Sequence, residues 1–170
     1  MKGIIIFTSK TGVTQDVAKY IQSKLHFEIE LVDVSKKIKE MDVSSYDFCI
    51  VGSPTYISMA SKQVKDFVRS NIQTLLSRSL YIFMIGANDE VNLTETLPQS
   101  YPQEIVSHAK VSEFLGGELR YDKLGFLKRF LLQQIEKAKV KENPNHKSPS
   151  IFWDKVDQFC IDLENDLTSK

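Results

Sequence analysis

Net charge is missing from this chain: 22 basic and 22 acidic side chains cancel. With no basic surplus to meet a phosphate backbone, composition gives no argument for a nucleic-acid partner. Cysteine is scarce too. Cys49 and Cys160 stand far apart, neither in a C-x-x-C pair, and Cys49 lies inside an apolar run. They read as buried core thiols, with no disulfide and no metal site, which fits a reducing, cytoplasmic compartment. His26, His108 and His146 are scattered without metal-ligand spacing, so no metal is expected. No apolar run approaches the roughly 20 residues that cross a bilayer. The opening stretch Ile4 to Phe7 is too short for a signal peptide, and no small-residue cleavage site follows it, so it reads as a buried first strand. Repeats and low-complexity tracts are absent.

What is present is enough for one domain over residues 1–170, with 42% hydrophobic residues to fill a core. Strand-like and helix-like segments alternate, which predicts a parallel sheet with helices on both faces. Gly3–Thr8 is continuously apolar, as in a strand covered on both faces. Gly12–Leu25 repeats Val13, Val17, Ile21 and Leu25 at helical spacing. Phe27–Val34 alternates Phe27, Ile29 and Leu31 with Glu28 and Glu30, the pattern of a half-buried strand near an edge. Residues 36–45 read as a loop or a short helix. Asp47–Gly52 is the next buried strand, Ser61–Leu76 a helix with Ser61 as N-cap, and Leu80–Gly86 a fourth strand. Asn88–Pro98 reads as a loop, Gln99–Lys110 as a helix and Val111–Leu119 as a fifth strand. Leu124–Val140 is a basic amphipathic helix, residues 141–150 a polar linker, and Phe152–Leu167 the last helix.

The segment Thr8-Ser9-Lys10-Thr11-Gly12-Val13-Thr14 lies directly between a strand and a helix. An anion placed there meets free backbone N–H groups and the positive end of the helix dipole. The hydroxyls of Thr8, Ser9, Thr11 and Thr14 can add hydrogen bonds, and Gly12 allows a close backbone approach. The first glycine and closing Gly-Lys-Ser/Thr of a Walker A loop are missing, and so is G-x-G-x-x-G. Hydroxyls with little basic charge suit a phosphate monoester without a metal. The alternative is an ordinary turn rich in Ser and Thr.

This loop resembles the phosphate loop of the flavodoxin superfamily, whose pattern is Thr/Ser-x-Thr-Gly-x-Thr. Gly52-Ser53-Pro54-Thr55-Tyr56, continuing to Ile57, resembles that superfamily's first isoalloxazine loop. Gly86-Ala87-Asn88-Asp89 stands where the second belongs. The resemblance implies an α/β three-layer sandwich with a five-stranded parallel sheet of order 2-1-3-4-5 and bound FMN at its switch point. The implied cofactor residues are Thr8 to Thr14, Ser53 to Ile57 and Gly86 to Asp89. Tyr56 either stacks on the flavin or covers the loop from outside. No aromatic occurs between Gly86 and Pro98, which leaves one ring face open for a substrate. Flavodoxins often carry a glycine in the first ring loop; Ser53 to Ser61 has none. That disfavours the peptide flip that stabilises a half-reduced flavin and favours two-electron chemistry.

Residues 120–150 intervene before the last helix. Between 120 and 141 seven basic residues face two acidic ones. Beside Phe126, an apolar face of Leu124, Leu127, Phe130, Leu131, Leu132 and Ile135 accompanies them. The helix either lies on an anionic membrane over 123–141 or packs on the domain with a solvated basic face. Gly116-Gly117-Glu118-Leu119-Arg120-Tyr121, the Phe130-containing helix and Trp153-Asp154-Lys155-Val156 are together similar to the flavodoxin-like, menaquinone-dependent protoporphyrinogen oxidases. That family carries a helical insert here, oxidises protoporphyrinogen IX through FMN and passes electrons to a quinone, implying peripheral contact with the inner face of the cell membrane. Pro54-Thr55-Tyr56-Ile57 departs from its usual Arg-Tyr-Gly. Arg120, with Tyr121 beside it, is the candidate for a substrate propionate; its alternative role is a surface ion pair. The rival functions are an electron carrier, which is usually strongly acidic, and a binding module that has lost FMN.

Overall fold

The computed structural model describes residues 1–36, 42–56, 59–87, 92–143 and 148–169. Six strands alternate with helices along it: β1 Lys2–Phe7, α1 Val13–Lys24, β2 Glu28–Asp33, β3 Phe48–Tyr56, β4 Met59–Ala60, α2 Lys62–Ser70, α3 Ile72–Leu76, β5 Ser79–Ile85, α4 Leu93–Ser100, α5 Gln103–His108, β6 Val111–Phe114, α6 Phe126–Glu142 and α7 Trp153–Thr168. The sheet runs β2-β1-β3-β5-β6, all parallel, with the two-residue β4 antiparallel on β3. Without β4 this is the expected 2-1-3-4-5 order.

The pleat explains why β1 reads as an unbroken apolar run. Ile5 and Phe7 join one core layer with Val17, Ile21, Phe159 and Leu163 of α1 and α7. Ile4 and Ile6 join the opposite layer with Val64, Val68, Leu75 and Leu97. Alternate side chains meet different helices, so neither face can be polar. Cys49 and Cys160 lie in different layers. Burial pushes both thiols up to about 12, so neither offers a thiolate nucleophile. β2 at the edge keeps Glu28 and Glu30 exposed, as its alternation implies.

Several boundaries differ from the sequence expectation. The helix expected over 61–76 breaks at Asn71, whose backbone and side-chain N–H groups both donate to the Phe67 carbonyl. Ser61 does cap α2, accepting from Val64 N–H at 3.4 Å. Residues 88–91 of the expected loop 88–98 lie outside the described residues; the rest of it and the expected helix 99–110 are redrawn as α4 and α5. Asn92 starts α4 by accepting from Thr94 N–H at 3.0 Å, Pro98 sits inside that helix, and the chain turns at Tyr101 before Pro102. The fifth expected strand ends early: β6 stops at Phe114, and Gly116, at φ 74°, turns the chain.

Past β6, residues 115–117 meet residues 150–152 running the other way. Gly117 N–H donates to the Ser150 carbonyl at 3.1 Å and Phe152 N–H to the Leu115 carbonyl at 3.0 Å. The intervening segment therefore leaves and rejoins the domain at one place, beside the C-terminal end of β5.

Candidate functional site

The loop after β1 delivers the chain into α1 with Gly12 as N-cap at φ 89°, a backbone conformation that favours glycine, and no side chain caps the helix there. Among the described residues, the N–H groups of Thr11, Gly12, Val13 and Thr14 meet no protein acceptor, while Gln15 N–H donates to Ser9 Oγ at 3.2 Å. Four adjacent donors at a helix mouth make a strong anion site.

Three of these four residues, Thr11, Val13 and Thr14, line a cavity of about 260 Å³. Four segments wall it: Lys10, Thr11, Val13 and Thr14; Pro54 and Thr55; Ile85, Gly86 and Ala87; and Gly117 to Arg120 with Leu124 and Leu132. Close packing unites the last two segments with the second. Thr55 donates its hydroxyl to the Ile85 carbonyl at 3.2 Å. Gly117 lies so near the Gly86 backbone that a Cβ on it would strike that peptide. Gly86 N–H donates to the Gly116 carbonyl at 2.9 Å.

The predicted hydroxyls divide into two groups. Thr11 and Thr14 line the cavity. Thr8 turns inward: its hydroxyl, buried, meets Ser61 Oγ at 2.9 Å. Ser61 N–H in turn donates to the buried Ser53 Oγ at 2.9 Å, and Ser53 donates to the Pro54 carbonyl. Thr8, Ser61 and Ser53 thus brace the first loop against the second.

Arg120 reaches back across the site. Its Nη1 lies 2.7 Å from Asp16 Oδ2 in the first turn of α1, and its Nε and Nη2 both lie 2.5 Å from Glu118 Oε1. Hydrogen bonding to Asp16, outweighing partial burial, raises its pKa further, so the guanidinium is permanently charged. The same Nη1 is 2.9 Å from where a side chain on Gly12 would begin. Arg120 therefore lies over the mouth of α1, held by two of the chain's own carboxylates. Tyr121 opens a short turn, Tyr121–Lys123, and is not among the cavity's lining residues.

The family model of the flavodoxin domain matches residues 4–146. The chain belongs to the flavodoxin-domain family. Protoporphyrinogen IX dehydrogenase [quinone] of Escherichia coli (strain K12) is 24% identical to it over 184 residues, spanning 100% of this chain and 98% of that protein. The flavodoxin of Haemophilus influenzae is 38% identical over 65 residues, 37% of each chain. Among solved structures, the apo form of the NADH:FMN oxidoreductase EMOB shares the fold with a TM-score of 0.53 at 13% identity, covering 67% of this chain and 73% of that one.

Ile57, Asn88 and Asp89 of the expected ring loops lie outside the described residues, as does the side chain of Tyr56. Gly117, Glu118, Leu119, Leu124, Leu132 and Asp16 join this flavodoxin domain's site without having been expected there. Leu124 and Leu132 were legible only as members of an apolar helical face. Asp16 has one sequence cue, its place one turn after Gly12.

That apolar face is the last departure. Of it, Leu124 and Leu132 reach the cavity, while Leu127, Phe130, Leu131 and Ile135 point outward together with Phe126. Phe126 is 85% exposed and Leu127 77%. The inward side of α6 carries half-buried Leu132, Gln133 and Glu136 instead. A contiguous exposed apolar patch of this kind calls for a partner. No helix among the described residues is long and apolar enough to cross a membrane.

Proposed function

We propose that this flavodoxin domain is an FMN-dependent oxidoreductase that oxidises protoporphyrinogen IX and delivers electrons to a quinone. The observation that carries the cofactor reading is the row of unpartnered amides from Thr11 to Thr14, opening into a cavity walled by all three loops that bind flavin in the family. Neutral donors at a helix mouth fit a phosphate monoester. The amides of Thr11 to Thr14 and the hydroxyls of Thr11 and Thr14 would hold the phosphate. Pro54, Thr55, Gly86 and Ala87 would flank the ring. Leu119, Leu124 and Leu132 would exclude water from its insert side, since apolar walls leave no partner for ordered water. Bound FMN supplies the hydride and electron chemistry that no side chain here offers.

Support for the substrate is the full-length likeness to the E. coli dehydrogenase. The outward apolar face of α6, with Arg129, Lys137, Lys139 and Lys141 on the same helix, supports delivery at an anionic lipid surface, where each nearby cation contributes about 1 kcal/mol. The second reading, an electron carrier, draws on the local likeness to the H. influenzae flavodoxin. Zero net charge weighs against it, because carriers dock on basic partners by charge.

The test is to titrate the purified chain with FMN, following flavin fluorescence, and then assay porphyrinogen oxidation with and without a quinone. Quinone-dependent turnover is expected. Absence of flavin binding would overturn the whole reading. Tight FMN binding with no porphyrinogen oxidation would remove the substrate and leave the carrier.

A further inference from the structure

Asp16 poses an electrostatic problem for the proposed phosphate site. It stands in the first turn of α1, one turn beyond Gly12, where a phosphate carrying close to two negative charges would come to rest. Glu118 brings a second carboxylate to the same rim. Two anions beside an anion site oppose binding unless a cation intervenes. Arg120 intervenes: its guanidinium touches both carboxylates and covers Gly12.

The donor count makes this more than neutralisation. A guanidinium has five N–H donors. Three contacts go to Asp16 and Glu118, which leaves two N–H groups without an acceptor among the described residues. Its side chain is 28% exposed and lines the cavity. Asp16 and Glu118 grip the fork from two sides, so its orientation is fixed before any ligand arrives, and little side-chain entropy remains to be lost.

We propose that Arg120 is a ligand of the cofactor's phosphate, supplied by the insert and aimed by Asp16 and Glu118, and that it makes the site selective for the phosphorylated flavin over riboflavin. The proposal rests on the FMN reading above and deepens it. It also moves Arg120 from the substrate propionate expected from sequence to the other end of the cavity. Selectivity follows from the charges. With Arg120 present, the phosphate meets two free N–H donors in addition to the loop amides. With Arg120 removed, it meets Asp16 and Glu118 unscreened, whereas riboflavin, lacking the phosphate, is indifferent to both.

The experiment measures Kd for FMN and for riboflavin by fluorescence quenching on the full chain and on Arg120→Gln, Arg120→Lys and Asp16→Asn/Arg120→Gln. Arg120→Gln is expected to weaken FMN by about 10- to 100-fold, the range of charge-assisted hydrogen bonds, and riboflavin by less than about 3-fold. Arg120→Lys keeps the charge but loses the fork and should fall between wild type and Arg120→Gln. The double variant removes Asp16's repulsion and should recover part of the loss. Ligand-free melting temperatures identify any variant that fails to fold, in which case the Lys variant and the wild-type ratio of the two affinities carry the test. Equal loss of FMN and riboflavin in Arg120→Gln, or no loss of either, overturns the inference while leaving FMN binding intact. Failure of the wild type to bind either flavin overturns the FMN reading itself.

Discussion

Adding one methyl group at Gly117 tests the architecture of the site directly. A Cβ there would lie 2.5 Å from the Gly86 carbonyl carbon and 2.9 Å from its nitrogen, with the oxygen nearer still. All three are backbone atoms, so no side chain can swing aside. Carbon atoms rest about 3.5–4.0 Å apart, so the insert base and the end of β5 must separate by about 1 Å. That movement strains the buried contact, at about 1–3 kcal/mol for overpacking. It also stretches the Gly86 N–H bond to the Gly116 carbonyl, worth about 0.5–1.5 kcal/mol. Together Gly117→Ala should cost about 2–4 kcal/mol. At about 2–4 °C per kcal/mol for a chain of this size, the melting temperature should fall by about 5–15 °C. Because Gly86 and Gly117 both line the cavity, FMN and riboflavin should weaken alike. Gly125, where an added Cβ would meet nothing within 4 Å, is the control: Gly125→Ala should cost under about 1 kcal/mol, the N-cap difference alone. Thermal unfolding and flavin titration of both variants supply the readout. If Gly117→Ala melts within about 2 °C of wild type and binds FMN normally, the close seating of the insert on β5 is wrong.

Thr8→Val should cost about 1–3 kcal/mol in urea unfolding, because the buried Ser61 hydroxyl keeps the Val64 N–H but loses the Thr8 oxygen; the FMN-to-riboflavin affinity ratio should stay at the wild-type value, and a change in that ratio would mean Thr8 touches the phosphate. On the acid side, Asp157 is held below the ordinary carboxylate range by the Tyr20 hydroxyl and then Lys24, and Glu164 by the His26 backbone N–H and ring. Both folded pKa values are depressed, so the stabilisation is complete above the unfolded values and is lost as pH falls from about 5 toward 2; an Asp157→Asn/Glu164→Gln variant should show a flatter acid limb in denaturation midpoints. For α6, the pair Phe126→Asp/Leu127→Asp should abolish flotation with anionic liposomes while leaving FMN affinity unchanged, since both side chains point away from the cavity.

The order of the sheet came from the resemblance; what each strand's periodicity made legible was how many of its faces are covered. Past their first residues β1 and β5 are apolar and central; β2 alternates and lies at the edge. Sequence and structure part where punctuation residues play an unusual role. Gly52 looks like the end of β3, yet pairing continues to Tyr56; the glycine is there because the ring of Phe83 occupies the space where a side chain would be. Pro98 looks like a loop residue but sits inside α4, which Asn92 has already started. The hydroxyl-rich loop after β1, the proposed phosphate site, stands out through local chemistry alone. Arg120's pairing with Asp16 does not, because it depends on the path that carries the insert back over α1, and no local pattern encodes that path. The contact of Thr8 with Ser61 was hidden for a similar reason: its hydroxyl belongs to the loop in sequence but meets Ser61 in space.

The antiparallel seam between residues 115–117 and 150–152 has an architectural consequence. Because both ends of the excursion are fastened side by side, the stretch between them is a cassette whose length and chemistry can vary while β5, β6 and α7 keep their places. Chain length inside such a closed excursion is thermodynamically inexpensive, each doubling adding only about 0.6 kcal/mol of closure entropy. A scaffold of this kind lets natural variation, or a protein engineer, exchange the roof over the cavity by grafting at two neighbouring peptides, without rebuilding the sheet beneath it.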